Sequence, residues 1–455
     1  MAFESEERNV NGHNMLKKQW GRLISCLPQL SSIDLVHSTL TLGRSDECDV
    51  VIYKSKFLPN QLLFISKKHF IIERDPEDAA ITYIIDLSKN GTYLNNILIG
   101  RNKRVILQSN DCIAIGERLK VYIFKSMNYV VDENYLPEAY KNKYELSHFL
   151  GKGACGEVRL AYDKYTCQKY ALKKITKGRD TASQLHNINH PNRIYMEISI
   201  LWNLSHPLVV GMESMVETEE DIFIVLEYVR GGELSKRLSS HSNLSEANSK
   251  FLFYQIVLAI QYLHKSGVTH RDVKPGNVLL ASDDPYTLIK LTDFGLSSVT
   301  EGYDLMKTMC GTWHYIAPEI IDQNIIEYDK QVDVWSMGVV LYYMLSKTLP
   351  FYSDDKSTLG KMIISGTYSM IGPAWYEISE SAKDLIKQML IVDPRKRITV
   401  DGILSHPWIK QDSLMQFRVD SMLRKALCQL KNLDIDDENT VSRAKKIKLR
   451  HEQPG

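Results

Sequence analysis

The stretch HRDVKPGN at 270–277, followed by DFG at 293–295, decides how this chain is read. Asp272 can accept the proton of an attacking hydroxyl, and Lys274 can neutralise a γ-phosphate in transit. Asn277 and Asp293 can each hold a Mg²⁺ ion. No other common chemistry uses those residue types in that order. The chain is therefore expected to move a phosphoryl group from ATP, with Mg²⁺, to a hydroxyl.

The flanking sequence supplies the other parts. GKGACGEV at 151–158 has the G-x-G-x-x-G-x-V form, so Gly151, Gly153, Gly156 and Val158 are candidates for a loop that closes over phosphates. A glycine-rich turn alone says little. This one opens a β-rich stretch and precedes KYALKK, which makes Lys173 the candidate ligand of the α- and β-phosphates, with Glu197 as its partner. Leu226 precedes Glu227-Tyr228-Val229, a hinge whose Glu227 and Val229 backbone groups would read adenine. Glu233 in GGEL could bind ribose or a basic substrate side chain; capping is its bland alternative. Glu319 of APE is expected to pair with Arg397 of DPRKR, and Asp333 to brace the catalytic loop through backbone amides. Both roles are structural. Arg271 would be a buried cation awaiting a phosphate of about −1.5 to −2 charges on the activation segment. Thr308 and Thr312 are the candidate acceptors, Thr308 for the ordering phosphate; Cys310 between them reads as packed. A β-rich small lobe followed by helical patterns such as 246–267 is the order of a bilobal α+β protein kinase over 144–409.

At 455 residues the chain should hold two or three domains. A net charge of +1 argues against a global nucleic-acid binder, so no direct nucleic-acid partner is expected. Apolar runs such as Val339–Leu345 are too short to span a bilayer, so no membrane partner is expected either. The acidic N-terminus lacks an apolar signal core. Seven cysteines without a CxxC pair fit reduced thiols.

Residues 20–126 read as β. Alternating runs at 38–44, 68–74, 81–87, 104–108 and 119–124 are separated by turn-forming SKNGT, NNILIG and SNDC, which predicts an all-β sandwich. Its turns carry Gly43-Arg44, SKKHF with Ser66, Lys67 and His69, and SKNGTYLNN with Asn90, Gly91, Thr92 and Asn95. Arg44 can make a bidentate contact to phosphate worth roughly 1.5–3 kcal/mol. Ser66 can donate a hydroxyl, Lys67 can add charge, and Asn90 can bind ligand backbone. The ordered combination resembles the forkhead-associated (FHA) phosphothreonine-binding domain, in which Gly43, His69 and Asn95 would be scaffold. The expected organisation is a tail (1–14), an FHA domain (15–126), a linker (127–143), the kinase domain (144–409) and a C-terminal tail (410–455). An amphipathic stretch at 411–430 would put Leu414, Met415, Met422, Leu423 and Leu427 on one face.

An FHA domain followed by a kinase of the calmodulin-dependent type resembles the checkpoint kinase 2 family. The resemblance implies a nuclear serine/threonine kinase of DNA-damage or meiotic surveillance. It also implies homodimerisation through the FHA module, trans-autophosphorylation, phosphothreonine-bearing partners, and substrates with Arg three residues before the acceptor. The basic RAKKIKLR at 443–450 reads as a nuclear-import signal or a solvated tail. Two other readings compete: a scaffold in which the FHA domain carries the function, and a calcium-dependent kinase whose tail is a calmodulin target. The second gives the FHA module no place.

Three features depart from the family pattern. No threonine precedes Thr39, and the only SQ or TQ is Ser183-Gln184, so the FHA ligand should be another protein or the chain's own Thr440. Asp46 stands two residues after Arg44, where a base often assists phosphate binding. Gly276 replaces the Glu of KPEN, which removes a carboxylate that attracts a basic residue two positions before the acceptor. A positional-scanning peptide array should therefore show selection for Arg at minus three and little at minus two; strong minus-two selection contradicts this reading.

Overall fold

The computed structural model describes residues 19–53, 55, 57–117, 119–127, 135–153, 156–177, 191–240, 244–293, 313–321 and 330–435. The expected roles of Thr308, Thr312, Cys310 and Thr440, the Ser183-Gln184 pair, the 1–14 tail and the basic 443–450 segment lie outside these residues, as does the Glu197 side chain. The described residues fall into two compact units. One joins 1–151 to 158–172; the other joins 152–157 to 173–455.

In the first unit the alternating runs become strands: β1 (Gly21–Ser25), β2 (Ile33–Leu35), β3 (Thr39–Gly43), β4 (Val50–Val51), β5 (Phe70–Arg74), β6 (Thr82–Asp86), β7 (Thr92–Leu94), β8 (Ile97–Leu98), β9 (Arg104–Ile106), β10 (Cys112–Ile115) and β11 (Leu119–Ser126). They form two sheets, ordered β2-β1-β11-β10-β7-β8 and β4-β3-β5-β6-β9. Register follows the apolar alternation: Phe70 and Ile72 of β5 are fully buried while the alternate residues Ile71 and Glu73 are half-buried. Their neighbours Leu23, Leu42, Ile84, Ile113, Val121 and Phe124 complete the core between the sheets.

The 127–143 segment was expected to be a linker with little periodicity. Its described part is instead packed: Leu136 and Tyr140 are buried, a short helix spans Glu138–Lys141, and the Tyr140 ring meets Tyr144 edge-on at 5.2 Å. The sandwich itself bonds to the strands that follow. Buried Asp78 accepts hydrogen bonds from Ser147 and from Tyr162 at 3.1 Å, Ile106 N donates to Lys164 O at 3.1 Å, and Lys169 pairs with Glu77 at 3.1 Å.

The second unit contains the antiparallel hairpin of Met212–Glu217 and Asp221–Glu227 and a helical body. The Glu246–Lys265 helix starts at Ser245, whose side chain accepts from Asn248 N, and stops at Gly267 with φ +79°. The Gln331–Ser346 helix is buried on nearly every face, so it forms the centre of this core. The stretch read as a tail continues the fold: Ser413–Ile435 is a helix whose Met415 and Val419 are buried in the core, with Met422 and Leu423 packed against it. The 415, 419, 422, 423 spacing is one helical face. It omits Leu414 and Leu427, which are exposed, as is Phe417. Among the described residues no helix is long and apolar enough to cross a membrane.

Val419→Asp should place an unpaired carboxylate in this core at a cost of about 3 kcal/mol. Differential scanning calorimetry should show a fall of about 6–12 °C in the unfolding temperature, with little change for Phe417→Asp; equal melting of both variants would show that the helix does not dock.

Candidate functional site

The catalytic loop is built from below by one carboxylate. Asp333, in the first turn of the Gln331–Ser346 helix and fully buried, accepts from His270 N at 2.9 Å, Arg271 N at 2.7 Å and His264 Nε2 at 2.7 Å. Two backbone amides on one side chain hold the loop in a turn that lets Arg271 take φ +64°, a left-handed value costly for a residue with a Cβ. Arg271, expected to be buried, is half-buried.

Above this turn, Asp272 Oδ2 accepts from Lys274 Nζ at 2.7 Å and Asn277 Nδ2 at 2.9 Å. Asn277 Nδ2 also donates to Asp272 O at 2.8 Å, so its own Oδ1 is left as an acceptor. Asp272 Oδ1 is buried and has no hydrogen-bond partner among the described residues. A carboxylate with one oxygen doubly held and the other unfilled is an acceptor aimed by its surroundings.

Asp293, also left-handed at φ +56°, meets Lys173 Nζ at 3.0 Å. The Lys173 ammonium holds the Asp293 carboxyl below its ordinary value against the opposing effect of burial, helped by the charges of His270 and Lys274. Thr292 N donates to Asn277 O at 3.0 Å, tying the start of DFG to the end of HRDVKPGN. Lys173, Asp272, Lys274, Asn277 and Asp293 are thus brought together. Among the described residues no three His, Cys, Asp or Glu side chains cluster as a metal cage. The Asn277 Oδ1 and the Asp293 carboxylate nevertheless suit Mg²⁺, which takes one or two protein oxygens and completes its shell with phosphate and water.

The glycine-rich strands are tight at Gly156 and open at Gly151. A Cβ on Gly156 would stand 2.0 Å from Lys174 O, whereas one on Gly151 would meet nothing within 4 Å. Leu226 and Val229 are buried, and Glu227 pairs with Lys290 at 2.9 Å. Glu233 occupies the N-cap position of the Leu234–Ser239 helix, but its side chain makes no capping bond and instead accepts from Ser235 Oγ at 2.5 Å. Its carboxylate lies 3.8 Å from where a Cβ on Gly276 would be.

The Glu319–Arg397 pair is present and fully saturated. Arg397 donates to Glu319 Oε1 at 2.7 Å and Oε2 at 2.9 Å, and its remaining N–H groups meet Gln331 O, Ile391 O and Val392 O. Its guanidinium also lies over the Trp335 ring, 5.1 Å from the centroid. Sequence reasoning missed His264, Gln331 and Trp335 because their roles depend on contacts distant in the chain.

In the β-sandwich, the turn after β3 and the SKKH loop are strapped together. Arg44 N donates to Ser66 O at 3.0 Å, Ser45 N to Lys67 O at 2.9 Å and His69 N to Leu42 O at 2.7 Å. A Cβ on Gly43 would lie 2.0 Å from Lys67 O, so only glycine fits. Ser66 Oγ accepts from Lys89 N at 3.0 Å and Asn90 Nδ2 donates to Leu63 O at 2.8 Å, which gathers Arg44, Ser66, Lys67 and Asn90 on one face; all but half-buried Ser66 are exposed. Asp46 is exposed close by in the chain. Asn95, with φ +50°, is scaffold: it donates to Asp111 and accepts from Cys112 N. Buried Asp86, not singled out from sequence, holds Ser88 and Thr92 and so shapes the NGT turn.

This fold and site define an ATP-dependent serine/threonine protein kinase with a phosphopeptide-binding module attached. The sequence matches the protein kinase domain family over residues 144–409 and the FHA domain family over 40–116. It is 40% identical over 90% of its length, and 85% of the relative's, to the ovarian-specific serine/threonine-protein kinase Lok of Drosophila melanogaster. It is 34% identical over 83% of its length, and 83% of the relative's, to the serine/threonine-protein kinase cds1 of Schizosaccharomyces pombe. The crystal structure of Rad53 1-466 in complex with AMP-PNP matches 86% of this chain and 100% of its own with a TM-score of 0.56 and 29% identity. The chain belongs to the protein kinase family, as an FHA-bearing homologue of the Rad53- and cds1-type checkpoint kinases.

His69 bears on the stability of the phosphopeptide face. It is fully buried, its Nδ1 accepts from Ser66 N at 3.0 Å, and burial lowers its pKa from 6.5 to about 4. The unfolded chain binds the His69 proton first as pH falls, so stability is full above pH 6.5 and is lost towards pH 4, by up to about 3 kcal/mol. Hydrogen exchange of the 66–90 backbone should show lost protection between pH 7 and 5 after correction for the intrinsic rate. His69→Asn, which keeps the acceptor and cannot charge, should lose less; an equal loss would assign the pH dependence to other groups.

Proposed function

We propose that this chain is a checkpoint-signalling kinase recruited by phosphothreonine-bearing partners. The carrying observation is the buried Oδ1 of Asp272, which has no hydrogen-bond partner among the described residues, beside two residues that hold its other oxygen. Asp272 takes the proton of a serine or threonine hydroxyl. Lys274, 2.7 Å from it, balances charge on the group in transit. Lys173 holds the α- and β-phosphates when nucleotide is bound, with Glu197 orienting it, and the glycine-rich residues Gly151, Gly153, Gly156 and Val158 cover them. The Glu227 and Val229 backbone groups read adenine. Asn277 and Asp293 hold Mg²⁺, which supplies neutralisation of the phosphate oxygens.

The segment 15–126 is the recruiting module and 144–409 the kinase domain, joined by 127–143 and followed by 410–455. Arg44, Ser66, Lys67 and Asn90 contact the phosphothreonine and its backbone. Recruitment raises the local concentration of substrate and of a second kinase copy, which favours homodimerisation and trans-phosphorylation at Thr308 and Thr312. Glu233, whose carboxylate lies beside Gly276, selects substrates with Arg at minus three. The basic 443–450 segment directs the protein to the nucleus, where damaged or meiotic chromosomes supply the phosphothreonine.

Asp272→Asn should lower peptide phosphorylation by at least about 10³-fold with ATP-analogue binding retained. Arg44→Ala should weaken phosphothreonine-peptide binding by about ten- to a hundredfold with phosphorylation of an untethered peptide unchanged. Retained activity in the first variant would remove the catalytic assignment; retained binding in the second would remove the recruitment model.

A further inference from the structure

A cleft away from both sites runs along the open side of the β-sandwich. β2 is the edge strand of one sheet and β4 of the other, and a cavity of about 430 Å³ lies along them. Its buried floor includes Leu35, Leu40, Phe57 and Tyr122; Ile33, Val36 and Val50 line it half-buried, and Tyr53 is 55% exposed. None of Arg44, Ser66, Lys67 or Asn90 lines it. An edge strand beside an apolar trough suits an extended peptide, with backbone groups adding to the ladder and alternate side chains filling the trough.

The lining restricts the occupant's charge. It contains Asp34 and Asp49 and no Lys or Arg. Asp34 and its partner Arg22, 3.5 Å away, are both about half exposed, so an incoming cation can share that carboxylate cheaply. The occupant should therefore alternate apolar and basic residues. One segment of this chain does so: Lys446-Ile447-Lys448-Leu449-Arg450. In an extended backbone Ile447 and Leu449 fall on one face, about 6.6 Å apart, with the three cations on the other. Two such aliphatic side chains fit a trough of this volume.

We propose that the β2–β4 cleft binds the 443–450 segment of a second copy of this chain. Each copy carries both the cleft and the segment, so two copies can exchange segments reciprocally. This association needs no phosphothreonine and leaves the Arg44 face free.

The test is fluorescence anisotropy of a labelled synthetic peptide, residues 441–452, titrated with the full-length chain. Saturable binding in the range of tens of micromolar is expected at about 0.15 M salt. Ile447→Asp with Leu449→Asp in the peptide should weaken it at least about tenfold, and Tyr53→Ala with Asp34→Asn in the protein should do the same. Phosphothreonine-peptide binding by the doubly substituted protein should be unchanged, which shows that the sandwich is folded. Absent saturation overturns the proposal, as does insensitivity to the protein substitutions. Equal binding of a scrambled peptide with the same composition also overturns it, because charge alone would then explain the signal.

Discussion

Two backbone amides converging on the Asp333 carboxylate set the geometry on which the catalytic residues depend. A buried carboxylate is tolerated only when its lone pairs are filled, and here His270 N, Arg271 N and His264 Nε2 fill them. The loop is thereby fixed from the side of the large helical core, so the side chains on its other side remain available to substrate. Asp272, Lys274 and Asn277 then need only short local bonds to reach their relative positions. The Glu319–Arg397 pair repeats the logic nearby: every guanidinium N–H has an acceptor, and the paired charges anchor the chain just after the activation segment.

The candidate phosphopeptide face is organised differently, because the side chains proposed to contact the ligand are mostly exposed. Its precision comes from backbone. Gly43 permits an approach to Lys67 O that no Cβ allows, His69 closes the SKKH turn from inside, and Asp86 gathers Ser88 and Thr92. Exposed Arg44, Lys67 and Asn90 are thus displayed from rigid turns, which limits the entropy lost when a ligand arrives.

Both domains were legible in the sequence for the same physical reason: phosphate chemistry demands particular side chains at short, fixed spacings, and turns demand glycine or asparagine. HRDVKPGN, DFG, SKKHF and SKNGT are local in this sense. Strands such as β5 and β6 were equally clear because KHFIIER and ITYIIDL are runs of β-branched and aromatic residues bounded by turn-formers. β1 and β10 were not, since GRLIS and CIAI lack a clear alternation and owe their state to pairing with β11. The docked helix was half-read: its amphipathic pattern is present, yet choosing Val419 over Leu414 requires knowing which face meets the core. The 127–143 segment looked like a linker because Leu136 and Tyr140 follow no period; each is buried by a surface that sequence does not display.

Asp78 draws a further consequence from that surface. Its carboxylate lies in the β-sandwich, while Ser147 and Tyr162, which bond to it, belong to the strands around the glycine-rich loop. Cutting the chain at the nominal end of the sandwich would take the Asp78 acceptor from Ser147 and Tyr162 and open the surface that buries Asp78. A phosphopeptide module joined in this way is poorly portable. Fusing it to another enzyme would leave Asp78 without these two donors, so the module's own stability is coupled to the strands that follow it.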